Sequence, residues 1–282
     1  MKIGCYRMGA LGDCLATTAA LRGLKAKYPD CWIRYVTHPG SIPILTHNRF
    51  IDEIAIAGGK DEEMRVNFVY PAFSGMDGKP FPKHIVRIFS DCAGVDEVRM
   101  EYTLTPDEIL TGEDLREAGP YVTFHVKTGW SQYKDWYIDR WEKVADAVRK
   151  MGYTTIQIGH VSDYVLPGAV DFRTSGESGL RKMMAMIRCA ASHVGVDSLP
   201  NHASAAFGVP AVILFGSTSP HGFGYEQNVN IWKGFDCSPC YRQYALSMGA
   251  EGPCPNGRRC MDAITADEVV AAVEGQLKRS KE

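Results

Sequence analysis

The sequence predicts an α/β protein built from two doubly wound, Rossmann-like halves. Strand-forming runs alternate with helical patterns along most of the chain, which is typical of parallel sheets joined by right-handed crossovers. This alternation begins at Lys2 and begins again at Tyr121, after a polar interval. The length of 282 residues also fits two domains, because domains usually span roughly 100 to 200 residues.

The elements of the first half follow from its apolar runs and breaks. A short apolar run at 2–6 enters a glycine-containing turn at 8–13, and the helical pattern after it ends before Pro29. Aromatic and β-branched runs predict the next strands, and helical spacing of apolar residues predicts one more helix. These elements are strands at 31–37, 53–57 and 66–70 and a helix between 81 and 94.

A polar interval at 104–120 separates the two halves. It contains Pro106, Gly119 and Pro120, which are typical of breaks and turns, so it predicts the approach to a linker. We therefore place the first domain at residues 1–118 and the second domain at residues 119–264.

The second half repeats the strand–turn–helix pattern. Thr265 and Glu268 then form a capping-box pattern ahead of an amphipathic run, which predicts a helix in the segment 265–282 that can pack back on the first domain. The preceding elements are strands at 121–126, 154–158, 193–196 and 209–215 and helices at 138–151, 180–191 and 198–207.

Charge and hydropathy exclude several functions. The 31 Lys and Arg residues against 33 Asp and Glu residues give a net charge of −2, so no basic field attracts nucleic acid and no such partner is expected. No apolar run reaches the length of a membrane span, and Arg7 and Asp13 interrupt the signal-like start. We expect a cytoplasmic protein with at most peripheral contact at the inner face of the membrane.

Three places at strand ends are candidates for chemistry, because ligands of open α/β sheets bind at the carboxyl ends of strands. The first is the turn with Gly9, Gly12 and Asp13. The glycines allow close backbone approach, and the helix start offers unpaired amides. The spacing is not that of a dinucleotide fingerprint. Asp13 is either the N-cap of the helix or a general base at the mouth of a ligand site.

The second and third places lie in the second half. Lys134, in the loop that starts near Thr128, is either a solvated surface lysine or an ammonium that meets a departing diphosphate. In the third place, Asp197 or Ser198 can cap a helix, and His202 lies one turn further on. That helix is either an ordinary capped helix or one whose N-terminus binds an anion.

The nine cysteines divide into five scattered ones and a cluster of four. Cys237, Cys240, Cys254 and Cys260 lie within about two dozen residues, and four such soft ligands suit tetrahedral zinc or iron. The second pair is wider than CxxC, which weakens the match. Two disulfides, or four free thiols, are the alternatives.

Three sequence blocks together resemble glycosyltransferase family 9, the heptosyltransferase-like enzymes. They are RMGALGDCLATTAALRGLKAKYP near the start, TGWSQYKDWYIDRWEKVADAV in the middle and VGVDSLPNHASAAFGVPAVILFGSTSP later. The resemblance implies the GT-B fold, in which two Rossmann-like domains face each other across a cleft. It also implies inverting transfer of a sugar, typically heptose from ADP-heptose, with no metal or other cofactor needed for the chemistry.

The resemblance also assigns roles to residues. It implies that Asp13 takes the proton of the acceptor hydroxyl and that Lys134 neutralises the leaving diphosphate. Further substrate contacts are implied at the helix start and at two loops, the first near the ribose and the second near the phosphates. These residues are Asp197, Ser198 and His202 at the helix start, Asp163 near the ribose, and Gly216 and Thr218 near the phosphates. A structural zinc or iron at the four cysteines is consistent with the family.

Two departures limit what the resemblance implies. Leu199 stands where the family usually has a glycine, and the first half is shorter than in typical members. Since that half would hold the acceptor, a glycan, a lipid-linked core and a protein all remain open as acceptors. Two other functions remain open as well. One is a Rossmann nucleotide-sugar-modifying enzyme, although GxGxxG is missing, and the other is an inactive nucleotide-binding protein.

Overall fold

The computed structural model describes residues 1–70, 81–129, 131–241 and 254–279. The described residues form two separate parallel sheets of four and six strands, with helices packed against them. The chain completes the four-stranded sheet before it enters the six-stranded one. Two parallel-sheet α/β domains are therefore present, as the sequence predicts.

The first sheet has the order β3-β2-β1-β4, and every neighbouring pair is parallel. Its central strand β1 lies between β2 and β4, so the winding direction reverses between β1 and β4. The strands are β1 (Lys2–Tyr6), β2 (Trp32–Val36), β3 (Glu53–Ala55) and β4 (Met64–Asn67). The helices are α1 (Leu11–Lys27), α2 (Ile42–Leu45), α3 (Ile85–Ala93) and α4 (Pro106–Glu117).

The second sheet is also parallel throughout. Its strands are β5 (Tyr121–His125), β6 (Thr154–His160), β7 (Val170–Thr174), β8 (Ser192–Val196), β9 (Ala211–Phe215) and β10 (Val229–Trp232). Its helices are α5 (Ile138–Lys150), α6 (Gly176–Cys189), α7 (Leu199–Phe207), α8 (Pro220–Phe223), α9 (Arg259–Asp262) and α10 (Ala266–Arg279). The order β7-β6-β5-β8-β9-β10 is that of a dinucleotide-binding Rossmann sheet, with its reversal between β5 and β8.

Two apolar cores hold these layers together. One is continuous between the sheets and joins Leu15 of α1, Ile187 of α6 and Ile213 of β9. The other lies on the opposite face of the second sheet, where Trp141 of α5 and Val273 of α10 are buried. A strand buried on both faces reads as an unbroken apolar run, as in the AVILF of β9.

The segment expected as a linker approach contains a helix, α4. Thr105 and Glu108 form a complete capping box, and Pro106 occupies the first turn. The missing side chain of Gly112 lets α4 lie against α6, because a Cβ there would be 2.6 Å from the carbonyl oxygen of Ala185. This packing favours a domain boundary before α4, ahead of the one expected at residue 118.

The last helix also differs from expectation. α10 packs against α5 and β9, and its Val269, Val273 and Leu277 belong to the core of the second domain. The prediction that it packs back on the first domain is wrong, because its apolar face is buried against one face of the second sheet. The short strands β7 and β10 were not predicted at all, since their side chains are mostly half-buried or exposed.

Candidate active site

The predicted residues converge on the two points where the winding of the sheets reverses. Asp13 follows β1 and Tyr70 follows β4, while Lys134 follows β5 and Asp197 follows β8. Ligands of open α/β sheets bind outside the carboxyl ends of the strands at such points. Gly12 precedes Asp13, and a Cβ on it would lie 2.6 Å from the ring of His202 in α7, which shows that the two reversal points lie close to each other.

The turn after β1 takes an uncommon backbone path. Gly9 has φ 85° and Ala10 has φ 53°, so both residues lie in the region that glycine tolerates best. Helix α1 then begins at Leu11, with Ala10 in the N-cap position and no side-chain cap. Asp13 therefore does not cap the helix, and its carboxylate pairs with Arg7 instead. The N-cap alternative is excluded.

Asp13 is a buried carboxylate, only 8% exposed. Burial raises its pKa above the ordinary 3.8, while Arg7, Tyr70 and Lys134 lower it without cancelling the effect. A carboxylate with a raised pKa binds a proton more readily, which suits a general base that must accept one.

Lys134 ends a 3₁₀ turn, Gln132–Lys134, and its ammonium meets Asp197. Its Nζ lies 2.8 Å from Oδ2 of Asp197, and the Thr218 hydroxyl donates to the same oxygen at 2.7 Å. Burial opposes the charge on Asp197, but Lys134, His202 and Thr218 outweigh it, so its pKa lies below the ordinary value. Lys134 is thus not the solvated surface lysine of the alternative prediction, since its side chain is only 15% exposed.

The start of α7 brings further predicted residues to the same place. Ser198 occupies the N-cap position, but its hydroxyl hydrogen-bonds to Nδ1 of His125 at 2.9 Å and makes no cap. Nδ1 of His202 lies 2.6 Å from the hydroxyl of Tyr225, and burial lowers the pKa of His202 to about 4. A Cβ on Gly12 would come within 2.6 Å of the His202 ring, so this glycine lets α1 and α7 meet.

The remaining predicted residues shape the surrounding loops. The amide of Thr128 donates to Asp135 at 2.9 Å and fixes the loop after β5. Oδ2 of Asp163 accepts from the amide of His160 at 2.8 Å, so Asp163 lies one strand away from the reversal point. Gly216 is buried after β9, where a Cβ would be 2.4 Å from the sulphur of Met261.

Several residues at the site were not predicted from the sequence. Arg7 and Tyr70 contact or face Asp13, and His84 and Tyr225 pack edge to face at 4.9 Å. Phe223 lies 5.8 Å from Nζ of Lys134, measured to its ring centre. The one signal available was Arg7, a cation directly after the first strand and six residues before Asp13.

The four clustered cysteines lie beside the loop that holds Gly216 and Thr218. Ser238 donates to the carbonyl of Gly216 at 2.5 Å, and the amides of Cys240 and Tyr241 donate to the carbonyl of Ser217. Burial and then the other three cysteines raise the pKa of Cys260 to about 11, which shows that the four sulphurs share one neighbourhood.

This neighbourhood suits a soft metal by its chemistry, because thiolates are the ligands that zinc and iron prefer. Across the described ranges, however, no group of three or more His, Cys, Asp or Glu side chains is arranged to hold a metal ion. The segment 242–253, between Cys240 and Cys254, lies outside the described residues. The donor set therefore fits a soft metal, but the arrangement of the described side chains does not.

The fold and the facing reversal points are those of a two-domain, GT-B-type protein. The profile of glycosyltransferase family 9 (heptosyltransferase) matches residues 58–248, more than half of the chain. The protein therefore belongs to glycosyltransferase family 9. This confirms the family and the fold class predicted from the sequence.

Known proteins resemble this chain in sequence and in fold. Lipopolysaccharide heptosyltransferase 3 of Escherichia coli K12 is 28% identical over 158 residues, which is 51% of this chain. That alignment covers 43% of the relative, so the chain spans less than half the length of the curated relative that it matches.

Solved structures share the fold at low sequence identity. A family 9 glycosyltransferase of Veillonella parvula has a TM-score of 0.75 and 16% identity, over 99% of this chain and 97% of that chain. ADP-heptose lipopolysaccharide heptosyltransferase II of E. coli has a TM-score of 0.73 and 15% identity, over the whole of both chains. The iron-containing dodecameric TibC of enterotoxigenic E. coli has a TM-score of 0.74 and 17% identity, over 100% of this chain and 76% of that chain.

No helix among the described residues is long and apolar enough to cross a bilayer.

Proposed function

We propose that this protein is an inverting glycosyltransferase that moves a heptose-like sugar from ADP-heptose to an acceptor hydroxyl. The observation that carries the proposal is that α1 and α7 approach each other at Gly12 and His202, which puts Asp13 of the first domain near the Lys134–Asp197 pair of the second. One side of the site carries the Asp13 carboxylate, which can accept a proton, and the other side carries the Lys134 ammonium, which is held by Asp197. Displacement of a diphosphate by a hydroxyl needs both.

ADP-heptose is the donor that the relatives favour. TibC has been solved in complex with ADP-D-β-D-heptose, and it shares the fold of this chain with a TM-score of 0.75 and 14% identity. The curated relative is a lipopolysaccharide heptosyltransferase. The acceptor that we propose is a glycan, a lipid-linked core or a protein, in the cytoplasm or at the inner face of the membrane.

In the proposed mechanism, the acceptor hydroxyl attacks the anomeric carbon while the bond from that carbon to the diphosphate breaks. Asp13 takes the hydroxyl proton, and Lys134 balances the charge that develops on the diphosphate. Asp197, which accepts a hydrogen bond from Thr218, holds Lys134 in place, and the proposed chemistry needs no metal or other cofactor. Holding acceptor and donor together between the two domains makes the attack effectively unimolecular.

We propose binding roles for the other predicted residues. The turn at Gly9 and Gly12 would face the acceptor, and Thr128, Gly216 and the amides after Ser198 would border the phosphates. Asp163 would contact the ribose, and His202 would back the cleft.

We also propose that Cys237, Cys240, Cys254 and Cys260 hold a structural zinc or iron apart from the sugar chemistry. The shared neighbourhood of the four sulphurs supports this proposal. Metal analysis of the reduced protein tests it, with Cys237→Ser as the variant and Cys189→Ser as a control outside the cluster. We expect about one equivalent that is lost only in Cys237→Ser. Less than about a tenth of an equivalent in the parent would contradict the proposal.

The main proposal is tested by incubating the protein with ADP-, GDP- and UDP-sugars and following thermal stabilisation first. We expect ADP-heptose to be the compound in this set that stabilises the protein. Adding a heptose-accepting lipopolysaccharide core to the protein and ADP-heptose should then release ADP. Stabilisation without transfer to any glycan, lipid-linked or protein acceptor would favour an inactive binding protein. Release of a modified nucleotide sugar would favour the modifying-enzyme alternative.

A further inference from the structure

Arg7 holds a fixed position directly after β1. Its amide donates to the carbonyl of Val36 at 3.1 Å, and its own carbonyl accepts from the hydroxyl of Thr37 at 2.7 Å. Both contacts tie this residue to the end of the neighbouring strand β2. The backbone of Arg7 is therefore positioned by the sheet itself and not by a loop.

The guanidinium of Arg7 is held as firmly as its backbone. One terminal nitrogen donates to the carbonyl of Phe68 at 3.0 Å, and the other donates to Oδ2 of Asp13. The group also lies 4.7 Å from the ring centre of Tyr70 and 5.3 Å from that of Phe89. The planar guanidinium thus contacts a carbonyl, a carboxylate and two aromatic rings at once, and the single ammonium of a lysine cannot reproduce this arrangement.

The other groups that face Asp13 contribute less charge. Tyr70 and Tyr225 have pKa values well above the ordinary 10 because of burial, so both are neutral. The thiol of Cys14 is likewise neutral, because burial raises its pKa. Lys134 is a cation, but its direct partner is Asp197.

His202 packs on the neighbouring Gly12 and is neutral, because burial lowers its pKa to about 4. Among the residues that the structure describes, Arg7 is thus the cation in direct contact with Asp13. A carboxylate this buried stays charged only when it is paired, and a general base has to be charged to accept a proton.

We propose that Arg7 is the positioning residue of this base: its guanidinium holds Asp13 by Oδ2 and keeps the carboxylate ionised. The inference rests on the proposed function. The proton moves from the acceptor hydroxyl to Asp13 as the new glycosidic bond forms and the diphosphate leaves. Arg7 neither gains nor loses a proton in that step.

The test begins without any substrate. Protein labelled with ¹³C at the aspartate carboxyl carbons is titrated, and the Asp13 signal is identified by its loss in Asp13→Asn. In Arg7→Gln the midpoint of Asp13 should rise by about one to three pH units, the usual effect of a neighbouring opposite charge. Arg34→Gln is the matched control. Arg34 also pairs with carboxylates, and its side chain is 16% exposed, as is that of Arg7.

The second readout is the dependence of transfer on pH. Arg7→Gln should move the acidic limb of the rate profile upward by the same interval, and Arg34→Gln should leave it in place. Arg7→Lys keeps the positive charge but loses the planar guanidinium. The titration midpoint of Asp13 should therefore stay closer to its value in the parent protein, while the rate of transfer falls. If Arg7→Gln does not fold, Arg7→Lys decides, and a parent-like rate in that variant would overturn the positioning role.

Failure of this inference differs from failure of the proposed function. Absence of transfer in the parent with every donor and acceptor tested would overturn the proposed function. A normal rate of transfer in Asp13→Asn would leave that function in place but would remove the base, and the role of Arg7 with it. An inactive Asp13→Asn together with an unshifted Asp13 midpoint in folded Arg7→Gln would overturn only the role of Arg7.

Discussion

Asp13 and Asp197 occupy comparable places in the two domains, yet their surroundings have opposite effects. Both carboxylates are buried at a reversal point of a parallel sheet, and both face a cation. Burial prevails at Asp13 and leaves its pKa raised, whereas the partners of Asp197 prevail over burial and lower its pKa. Two carboxylates whose environments push their pKa values apart are suited to different tasks.

The two carboxylates have similar numbers of partners, so the difference lies in how far these partners offset the effect of burial on each pKa. Asp197 receives Lys134 and the Thr218 hydroxyl on one oxygen, and His202 lowers the pKa of Asp197 further. Asp13 is contacted by Arg7 and Tyr70, and Lys134 acts on it only at longer range. We infer that Asp197 is a fixed charge that positions Lys134, while Asp13 keeps the capacity to bind a proton.

Asp13→Asn should produce the largest effect. If Asp13 is the base, transfer should fall by about 10²- to 10⁴-fold, the usual contribution of general base catalysis. Donor affinity measured by calorimetry should change little, because the donor is expected at the second domain. Asp61→Asn, which removes a surface partner of Lys2, is the control. Near-normal turnover in Asp13→Asn would show that Asp13 is not the base.

Lys134→Met should mainly affect stability and nucleotide binding. It leaves a buried Asp197 charge unpaired, so we expect a loss of about 3 kcal/mol in the free energy of unfolding, measured with urea. Nucleotide affinity should fall at least about tenfold, since one charge-assisted contact is lost. Lys134→Met combined with Asp197→Asn should regain stability but not affinity. Recovery of both would place Lys134 outside the phosphate site.

The two carboxylates should also differ in the pH dependence of stability. The lowered pKa of Asp197 adds stability above 3.8, and this is lost as the pH falls through the folded value. The penalty of Asp197→Asn should therefore shrink below pH 3.8.

The raised pKa of Asp13 has the opposite effect on the pH dependence of stability. Its favourable contribution is complete below 3.8 and is lost as the pH rises through the folded value. Asp13→Asn should thus gain on the parent over that interval, by on the order of 1 kcal/mol for each tenfold increase in the proton affinity of Asp13 on folding. Urea unfolding between about pH 3 and 7 measures both. If the unfolding free energies of the two variants, relative to the parent, changed with pH in the same way, the opposite effects inferred for Asp13 and Asp197 would be contradicted.

Ala10→Gly should give the smallest effect. Ala10 has φ 53°, which glycine adopts without strain, so the variant should gain less than about 1 kcal/mol in unfolding free energy. Ala16→Gly, inside α1, is the opposite control and should lose a similar amount. A loss of stability in Ala10→Gly would show that the turn before Asp13 is not strained.

Much of the fold could be predicted because each sheet repeats one local pattern. β1, β5 and β9 are mostly buried and apolar and lie next to glycine-containing turns, so the sequence pattern predicts that they are strands. The helix α4 was missed because it buries little apolar surface and is flanked by proline and glycine. Its capping box at Thr105 and Glu108 was the available signal.

The site was predictable only where it follows a strand directly. Asp13, Lys134 and Asp197 lie just beyond strand ends, and the structure brings them together. Tyr70, His84 and Tyr225 come from segments without a motif and meet only through tertiary packing. The pairing of Arg7 with Asp13 depends on the left-handed turn at Gly9 and Ala10, which spacing alone does not reveal.

Ser238, Cys240 and Tyr241 donate hydrogen bonds to the loop at 216–218 and so tie the cysteine cluster to it. Thr218 belongs to that loop and contacts Asp197, which holds Lys134. Whatever oxidises or ligates the neighbouring cysteines therefore acts on the same loop that we propose borders the phosphates of the nucleotide. Thermodynamic linkage makes such coupling reciprocal, so bound nucleotide should alter the reactivity of these thiols as much as their state alters nucleotide affinity.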